Sequence, residues 1–348
     1  MTVPPFDSLR TERLVVRIVR PDDVDPLWER RNDPSTAEFQ NWSLPYPRDM
    51  AREVIEMSVS CGSAPPANGW MQLAIDDVAT GSPVGDLALG LTFDGRCAEI
   101  GWTVDAAHRG RGIAQEAATA LTRWLFDTVG VARVQATMHP ENLASVRVAE
   151  QLGMVVEGHT RNSFWVGDVN SDDWILAMTV DDWRAWIARP DHRPEEVALV
   201  EITEANLRRV FRLATHRSQE RFVAPVAASL AAALVPGTHD GEDVVPWYRA
   251  IEADGEIVGF VMTAEPTAGE PVPYLWRFLI DRMHQRRGIG SMALDLVIDR
   301  ARAMGATALD LSWSEGRGSP EAFYLARGFV PTGEIEDDEI VARLDLTR

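Results

Sequence analysis

The chain has 348 residues, enough for two hydrophobic cores, and its 45% hydrophobic and 25% charged content exclude disorder. A formal net charge of −19 argues against nucleic acid as the main partner, because phosphate binding needs a basic face, and it favours small cationic partners through steering. All 34 basic residues are arginine, which excludes chemistry that needs a lysine: the Walker P-loop and the Schiff-base enzymes.

Cys61 and Cys97 are the only cysteines, too few for a disulfide framework or a zinc site and consistent with a reducing compartment. The seven histidines show no metal-binding spacing. No window approaches 18 consecutive apolar residues, and Met1–Leu9 has neither a basic start nor an apolar core, so the expected location is cytoplasmic, away from membranes.

In chain order, Leu14 and Val16 alternate with Arg13, Val15 and Arg17 as in an outer strand. Pro21-Asp22-Asp23 opens a helix carrying Val24, Leu27 and Trp28, and a second helix is expected over about Arg48–Val59. Strands follow at Trp70–Asp76, Pro83–Thr92 and Glu99–Val104, then a helical pattern from Gln115 to Asp127. A strand over Ala132–Met138, a helix over Asn142–Leu152 and an antiparallel pair over Val155–Val166 and Asp173–Val180 close the first half, before a last short helix. The charged, proline-bearing stretch 189–196 reads as a linker between domains at 1–188 and 197–348. The second half repeats the plan. A strand over Val197–Ile202 precedes helices at about Glu204–Thr215 and Glu220–Leu234. A hairpin turns at Asp254-Gly255, a strand ends at Ile280, and a helix runs over about Ser291–Met304. The strand Ala308–Trp313, a helix over Pro320–Arg327 and a hairpin across Glu334–Leu346 complete it. The expected class is α/β (α+β), each half a mixed sheet flanked by helices.

One stretch organises each half. His108-Arg109-Gly110-Arg111-Gly112-Ile113-Ala114 joins an apolar strand to a helix, and Gln285-Arg286-Arg287-Gly288-Ile289-Gly290 does the same later. First-turn N–H groups lack internal partners, the helix dipole adds positive charge, and glycine lets a bulky ligand approach, so each is a natural anion site. Gly112 and Gly288 lie 176 residues apart, close to half the chain, which points to a tandem duplication.

With these motifs the chain resembles the GNAT superfamily of acyl-CoA-dependent N-acetyltransferases, twice over. The first half is similar to the ribosomal-protein (RimJ/RimL) type through Leu9-Arg10-Thr11-Glu12-Arg13-Leu14, Glu99-Ile100-Gly101-Trp102, Arg109-x-x-Gly112-x-Ala114, Asn142-x-x-Ser145 and Leu152-Gly153-Met154. The second half is similar to the polyamine or diamine type through Gln219–Val223, Gly259–Met262, Trp276-Arg277-Phe278, Gln285-x-x-Gly288-x-Gly290 and Tyr324-x-x-x-Gly328-Phe329.

The resemblance implies acetyl-CoA as cofactor, its pyrophosphate on the two glycine loops with the arginines as charge partners. It implies a pantetheine pairing with a splayed strand edge, at Thr103 and Val104 in the first half and Leu279 and Ile280 in the second. Tyr324 is the implied acid of the second half. Ala149 holds that place in the first, where Ser145 is the implied acid and Asn142 the pantetheine contact. Glu99 is the candidate base. Arg317 and Pro320 depart from the family pattern, so 315–319 is expected to bind CoA differently or not at all. The acidic residues of the last hairpins read first as solvated turns and second as an anionic rim for an amine, with Trp165 and Trp174 in the first half, or Trp276 and Trp313 in the second, as candidate walls where core packing is the default. The implied acceptor is a small-molecule amine or a protein N-terminus, and a homodimer is compatible with the sequence. Two rivals follow from the same motifs: one catalytic domain only, as in mycothiol synthase, or a non-catalytic acyl-CoA sensor. A dinucleotide enzyme ranks behind both, because neither loop reads GxGxxG with an acidic residue about 20 positions on.

Overall fold

The computed structural model describes residues 3–239 and 241–347. It divides into two compact units, Met1–Ala188 and Arg189–Arg348. No helix among the described residues is long and apolar enough to cross a membrane.

The first unit runs β1 (Ser8–Arg10), β2 (Leu14–Ile18), α1 (Val24–Asn32), α2 (Pro34–Ala37), α3 (Arg48–Ser60), β3 (Gly69–Asp77), β4 (Pro83–Thr92), β5 (Cys97–Val104), α4 (Ile113–Trp124), β6 (Arg133–Met138), α5 (Leu143–Leu152), β7 (Val155–Val166), β8 (Val169–Thr179) and α6 (Val180–Ala188). Its sheet has the order β1-β2-β3-β4-β5-β6-β8-β7. All pairs are antiparallel except β5–β6, which α4 connects as a crossover. The stretch read as an outer strand is β2, with Leu14 and Val16 buried, and β1 pairs with it as a hairpin at the sheet's edge. α1 and α3 bury Leu27, Ala51 and Ile55 against Val19 and Ala74 of the sheet side.

The second unit runs β9 (Val197–Val200), α7 (Leu207–Val210), α8 (Val226–Leu234), β10 (Thr238–His239), β11 (Glu242–Asp243), β12 (Pro246–Ala253), β13 (Glu256–Ala264), β14 (Tyr274–Ile280), α9 (Ile289–Ala303), β15 (Ala308–Trp313), α10 (Glu321–Ala326), β16 (Val330–Glu336) and β17 (Glu339–Asp345). The main sheet is β16-β17-β15-β14-β13-β12-β9, with β14–β15 its parallel pair. Residues of β13 divide between two cores: Val258 and Val261 join that of α9 and α10, while Phe260 and Met262 join that of α7 and α8, and a bulge at Val258 shifts the alternation between them.

Two expected helices shrink here. The segment read as Glu204–Thr215 keeps a single helical turn, because Asn206 caps Thr203 N–H and donates to Glu201 O, while Asp281 takes Ala214 N–H. The next helix starts only after Pro225, whose ring disfavours helical geometry in the residue before it. The stretch read as a linker is bonded to the second unit: Asp254 accepts from Glu195 and Glu196 N–H at 3.0 Å, and His192 O accepts from Arg287.

Candidate functional site

Both parallel pairs open like a fork. β5 and β6 pair at Cys97–Arg133, Ala98–Val134 and Glu99–Gln135, and the ladder then stops although both strands continue. β14 and β15 pair at Tyr274–Asp310 alone. Residues 100–104 are bonded to β4 on one edge and face the gap with the other, so Thr103 and Val104 carry main-chain groups toward it. Leu279 and Ile280 do so in the second unit, where β13 holds the other edge.

A glycine turn caps the helix at each fork. Gly112 (φ +77°) precedes α4 and Gly288 (φ +81°) precedes α9, in the left-handed region glycine tolerates best. The first ladder bond of α4 is Glu116 N–H to Gly112 O, which leaves the N–H groups of Ile113, Ala114 and Gln115 as the helix's open donors. In α9 the bond Met292 N–H to Gly288 O leaves Ile289, Gly290 and Ser291 equivalently open. A Cβ on Gly110 would meet nothing within 4 Å, so the backbone there is approachable.

The side chains of the loops do not all face an anion. Arg109 Nε donates to Val104 O at 3.1 Å, and its terminal nitrogens bond Ser35 and Thr36. Gln285 Nε2 donates to Ile280 O at 3.0 Å. The first loop position of both units therefore ties the turn to the last strand residue, five positions back, which explains why a long donor stands there. Arg287 corrects the expectation of a charge partner: it is only 6% exposed and its guanidinium bonds His192 O and His284, so its contribution at the loop is its backbone N–H. Arg111 and Arg286 are exposed. Arg13, part of the opening motif whose role the sequence left unexplained, pairs with Glu116 at 2.5 Å and donates to Arg111 O at 3.0 Å, while Thr11 also bonds Glu116. The motif braces the first turn of α4.

In the first unit the fork opens into a cleft of about 1030 Å³. Its floor is β3, β4 and β5 through Gln72, Asp86, Ala88, Glu99, Gly101 and Thr103, and α3 and the β7–β8 hairpin supply the walls. Glu99 stands at the branch and accepts from Gln135 at 3.0 Å. Glu38, Asp86, Glu141 and Asp173 also line the cleft, against the single arginine Arg31. Asp86 is paired with buried Arg30, whereas Asp173, 8% exposed, takes a bond from Ser163 at 3.1 Å. Asp173 came from a segment read as a solvated hairpin; its register opposite Thr160 puts it inside. Phe39, Trp42, Trp70, Trp102 and Phe164 form the aromatic wall. Neither tryptophan expected to wall the first half's site lines the cleft: Trp165 is exposed and Trp174 packs edge-on to His159; of the pair expected in the second half, Trp313 is core and Trp276 packs on the α7–α8 core.

Asn142 and Ser145 stand at the start of α5, just after the cleft-lining Glu141 but not themselves among the cleft's lining residues, and Asn142 Oδ1 accepts the Ser145 N–H at 3.2 Å as an N-cap. Half of the Asn-x-x-Ser pattern is thus local helix chemistry. Ala149 is fully buried. In the second unit Tyr324 lies in α10, 7% exposed, stacked on Trp313 at 6.1 Å and edge-on to Phe329. Burial first, then Tyr274 and Glu339, push its phenol well above the usual range. It stays protonated at neutral pH.

Comparison with known proteins bears on this arrangement. The acetyltransferase (GNAT) domain model matches residues 13–155, and the acetyltransferase (GNAT) family model matches 208–329. The chain belongs to the GNAT acetyltransferases, with two such domains in tandem. The chain is 28% identical over 159 residues to the uncharacterised N-acetyltransferase p20 of Bacillus licheniformis, covering 45% of this chain and 87% of p20. It is 27% identical over 84 residues to the ribosomal protein uS5-alanine N-acetyltransferase of Escherichia coli, covering 24% of this chain and 43% of that enzyme, so under half of that relative's length is spanned. A solved GNAT acetyltransferase from Bacillus anthracis superposes with a TM-score of 0.44 and 22% identity, covering 50% of this chain and 99% of the other. The protein is an N-acetyltransferase of the GNAT type, a family that uses acetyl-CoA.

Proposed function

We propose that this tandem GNAT protein acetylates a primary amine from acetyl-CoA and that the cleft of the first domain receives the amine. The observation that carries the reading is the fork of β5 and β6: it has open N–H donors at its loop end, a free strand edge along one arm, and at its branch a carboxylate, Glu99, lining a cleft of about 1030 Å³.

Acetyl-CoA, when bound, supplies the thioester carbonyl. The N–H groups from Gly110 to Ala114 suit its pyrophosphate, and the free edge at Thr103 and Val104 suits its pantetheine, with Asn142 close by. Gly288, Ile289 and Gly290 offer the same donors in the second domain. Glu99 takes the proton that an ammonium must lose before it can attack. Ser145 in the first domain and Tyr324 in the second are the donors for the departing thiolate, and the phenol's raised affinity for its proton keeps it in the donor form. Carboxylates and aromatic faces together favour a small cationic amine over an anionic acceptor. The E. coli relative's name supports a protein N-terminal amine as the second reading of the acceptor.

The test is thiol release from acetyl-CoA with spermidine, an aminoglycoside, amino acids and an alanine-initiated peptide as acceptors. Turnover with the cationic amines is expected. Tight acetyl-CoA binding with no turnover on any acceptor would establish the sensor reading instead.

A further inference from the structure

The second domain holds a hydrogen-bonded chain that the sequence did not signal. Tyr274 Oη bonds Ser312 Oγ at 2.6 Å, Ser312 Oγ bonds Glu339 Oε2, and Ser314 Oγ bonds Glu339 Oε1 at 3.1 Å. The direction follows from the groups themselves. An ionised carboxylate only accepts, so the Ser312 hydroxyl must donate to Glu339. Its one proton is then spent, so Tyr274 must donate to Ser312. The phenol oxygen of Tyr274 is left with lone pairs alone and can receive a donor, such as an amine N–H, but cannot offer one.

Register places this chain where the first domain keeps its carboxylates. Tyr274 is the parallel-paired residue at the fork of β14 and β15, as Glu99 is the last such residue at the fork of β5 and β6. Two residues along the neighbouring strand stand Ser312 and Thr137, opposite Val341 and Ile175. Two residues before those partners come Glu339 and Asp173. Both domains thus bring an acidic residue of the last strand to the same level, and in the first domain that residue lines the cleft. The second domain has exchanged the branch glutamate for a tyrosine wired to its deeper carboxylate.

We propose that Tyr274, Ser312 and Glu339 are the proton-accepting relay of the second domain, taking the proton of an acceptor amine at the fork of β14 and β15. This rests on the acetyl-transfer reading above. The acceptor's ammonium N–H gives its proton to Tyr274 Oη as the Tyr274 proton passes to Ser312 Oγ and the Ser312 proton to Glu339 Oε2. The nitrogen keeps its electron pair for attack, and Glu339 becomes a carboxylic acid that returns its proton to solvent. Burial pushes the Tyr274 phenol up to about 12, so it relays a proton without resting as phenolate. Arg277, Glu336 and Tyr324 are the other charged or titratable groups acting on the cluster.

The test uses the full chain carrying Glu99→Gln, or separately Gly112→Asp, to silence the first domain, with acetyl-CoA and spermidine. Ser312→Ala should lower kcat at pH 7 by about 100-fold with the KM for acetyl-CoA unchanged, and Ser312→Thr, which keeps the hydroxyl, should restore it. Between pH 7 and 9.5 the Ser312→Ala defect should shrink, because more of the amine is already neutral; a packing defect would persist at every pH. Turnover indifferent to Ser312→Ala overturns the relay alone. Turnover in the native chain but none in either silenced chain also overturns it and leaves the first-domain reading standing. No turnover in the native chain on spermidine or any other acceptor of the screen above overturns both; if another acceptor is turned over, the same variants are read with it.

Discussion

The two domains share a fork and a glycine turn but differ in what lies beneath them. The first opens into a wide cleft lined by carboxylates and aromatic rings, with alanine at the place of the acid. The second packs Trp313, Tyr324 and Phe329 into the core under α9 and α10, and a cavity of about 590 Å³ lies beside α7, lined by Arg209, Arg212, Glu256, Asp281 and His284 among others. On the proposed reading, the loop and fork would hold a CoA-type ligand alike in both domains, and the difference at the branch would set their proton chemistry apart. One copy sets a carboxylate at the mouth. The other sets a phenol there and keeps its carboxylate behind a serine.

Breaking the comparison at the chemistry should give the largest effect. Glu99→Gln should lower amine acetylation by the first domain by about 10²–10⁴-fold while leaving acetyl-CoA affinity intact, measured in a chain whose second domain carries Gly288→Asp. Equal rates would remove Glu99 from the reaction.

Packing behind the two helices that follow each fork should show the next effect. Gly153 (φ +96°) ends α5 with Trp186 so close that an added Cβ would lie 2.5 Å from its ring, whereas Gly328 (φ +91°), after α10, has only Leu344 at 3.3 Å. Gly153→Ala should cost about 3 kcal/mol, from backbone strain and overpacking together, and Gly328→Ala about 1 kcal/mol. Denaturant unfolding of the two variants checks the order; equal costs would contradict it.

Much of this was legible in the sequence and some was not. The strand, turn and helix order at Gly112 and Gly288 was readable because φ requirements and apolar periods are local. The four-residue step from Tyr324 to Gly328 was legible only through the resemblance to the family. The inward turn of Asp173, buried, and of Glu339, half-buried, was not, since a hairpin's acidic residues look alike until register decides which ones turn inward. Arg287 misled for a related reason: an arginine beside a glycine loop looks like a phosphate partner, and only its bond to His192 O shows it turned into the domain. Trp42, Trp70 and Trp102 carried no signal that distinguished a cleft wall from a core.

A smaller, pH-dependent difference should separate the domains. Burial, then Arg282, Arg189 and Arg286, lowers His216 of the second domain to about 4. The unfolded chain therefore binds more protons between the ordinary histidine value of 6.5 and about 4, so the second domain should lose stability as pH falls through that window. In the first domain burial would raise Asp23, but bonds from Arg17 and the Arg20 N–H outweigh it and hold it below 3.8. That contribution is present above the unfolded value and is lost only as pH falls below it. Melting at pH 7, 5 and 3 should show the second domain weakening first, and His216→Asn should remove its slope between pH 7 and 5.

The most direct test of the central claim, that both forks are built for the same ligand, is calorimetric titration of the full chain with acetyl-CoA. Two sites per chain are expected, falling to one in Gly112→Asp, which keeps the second site, and to one in Gly288→Asp, which keeps the first. A single site in the native chain, lost in one variant and untouched in the other, would contradict it.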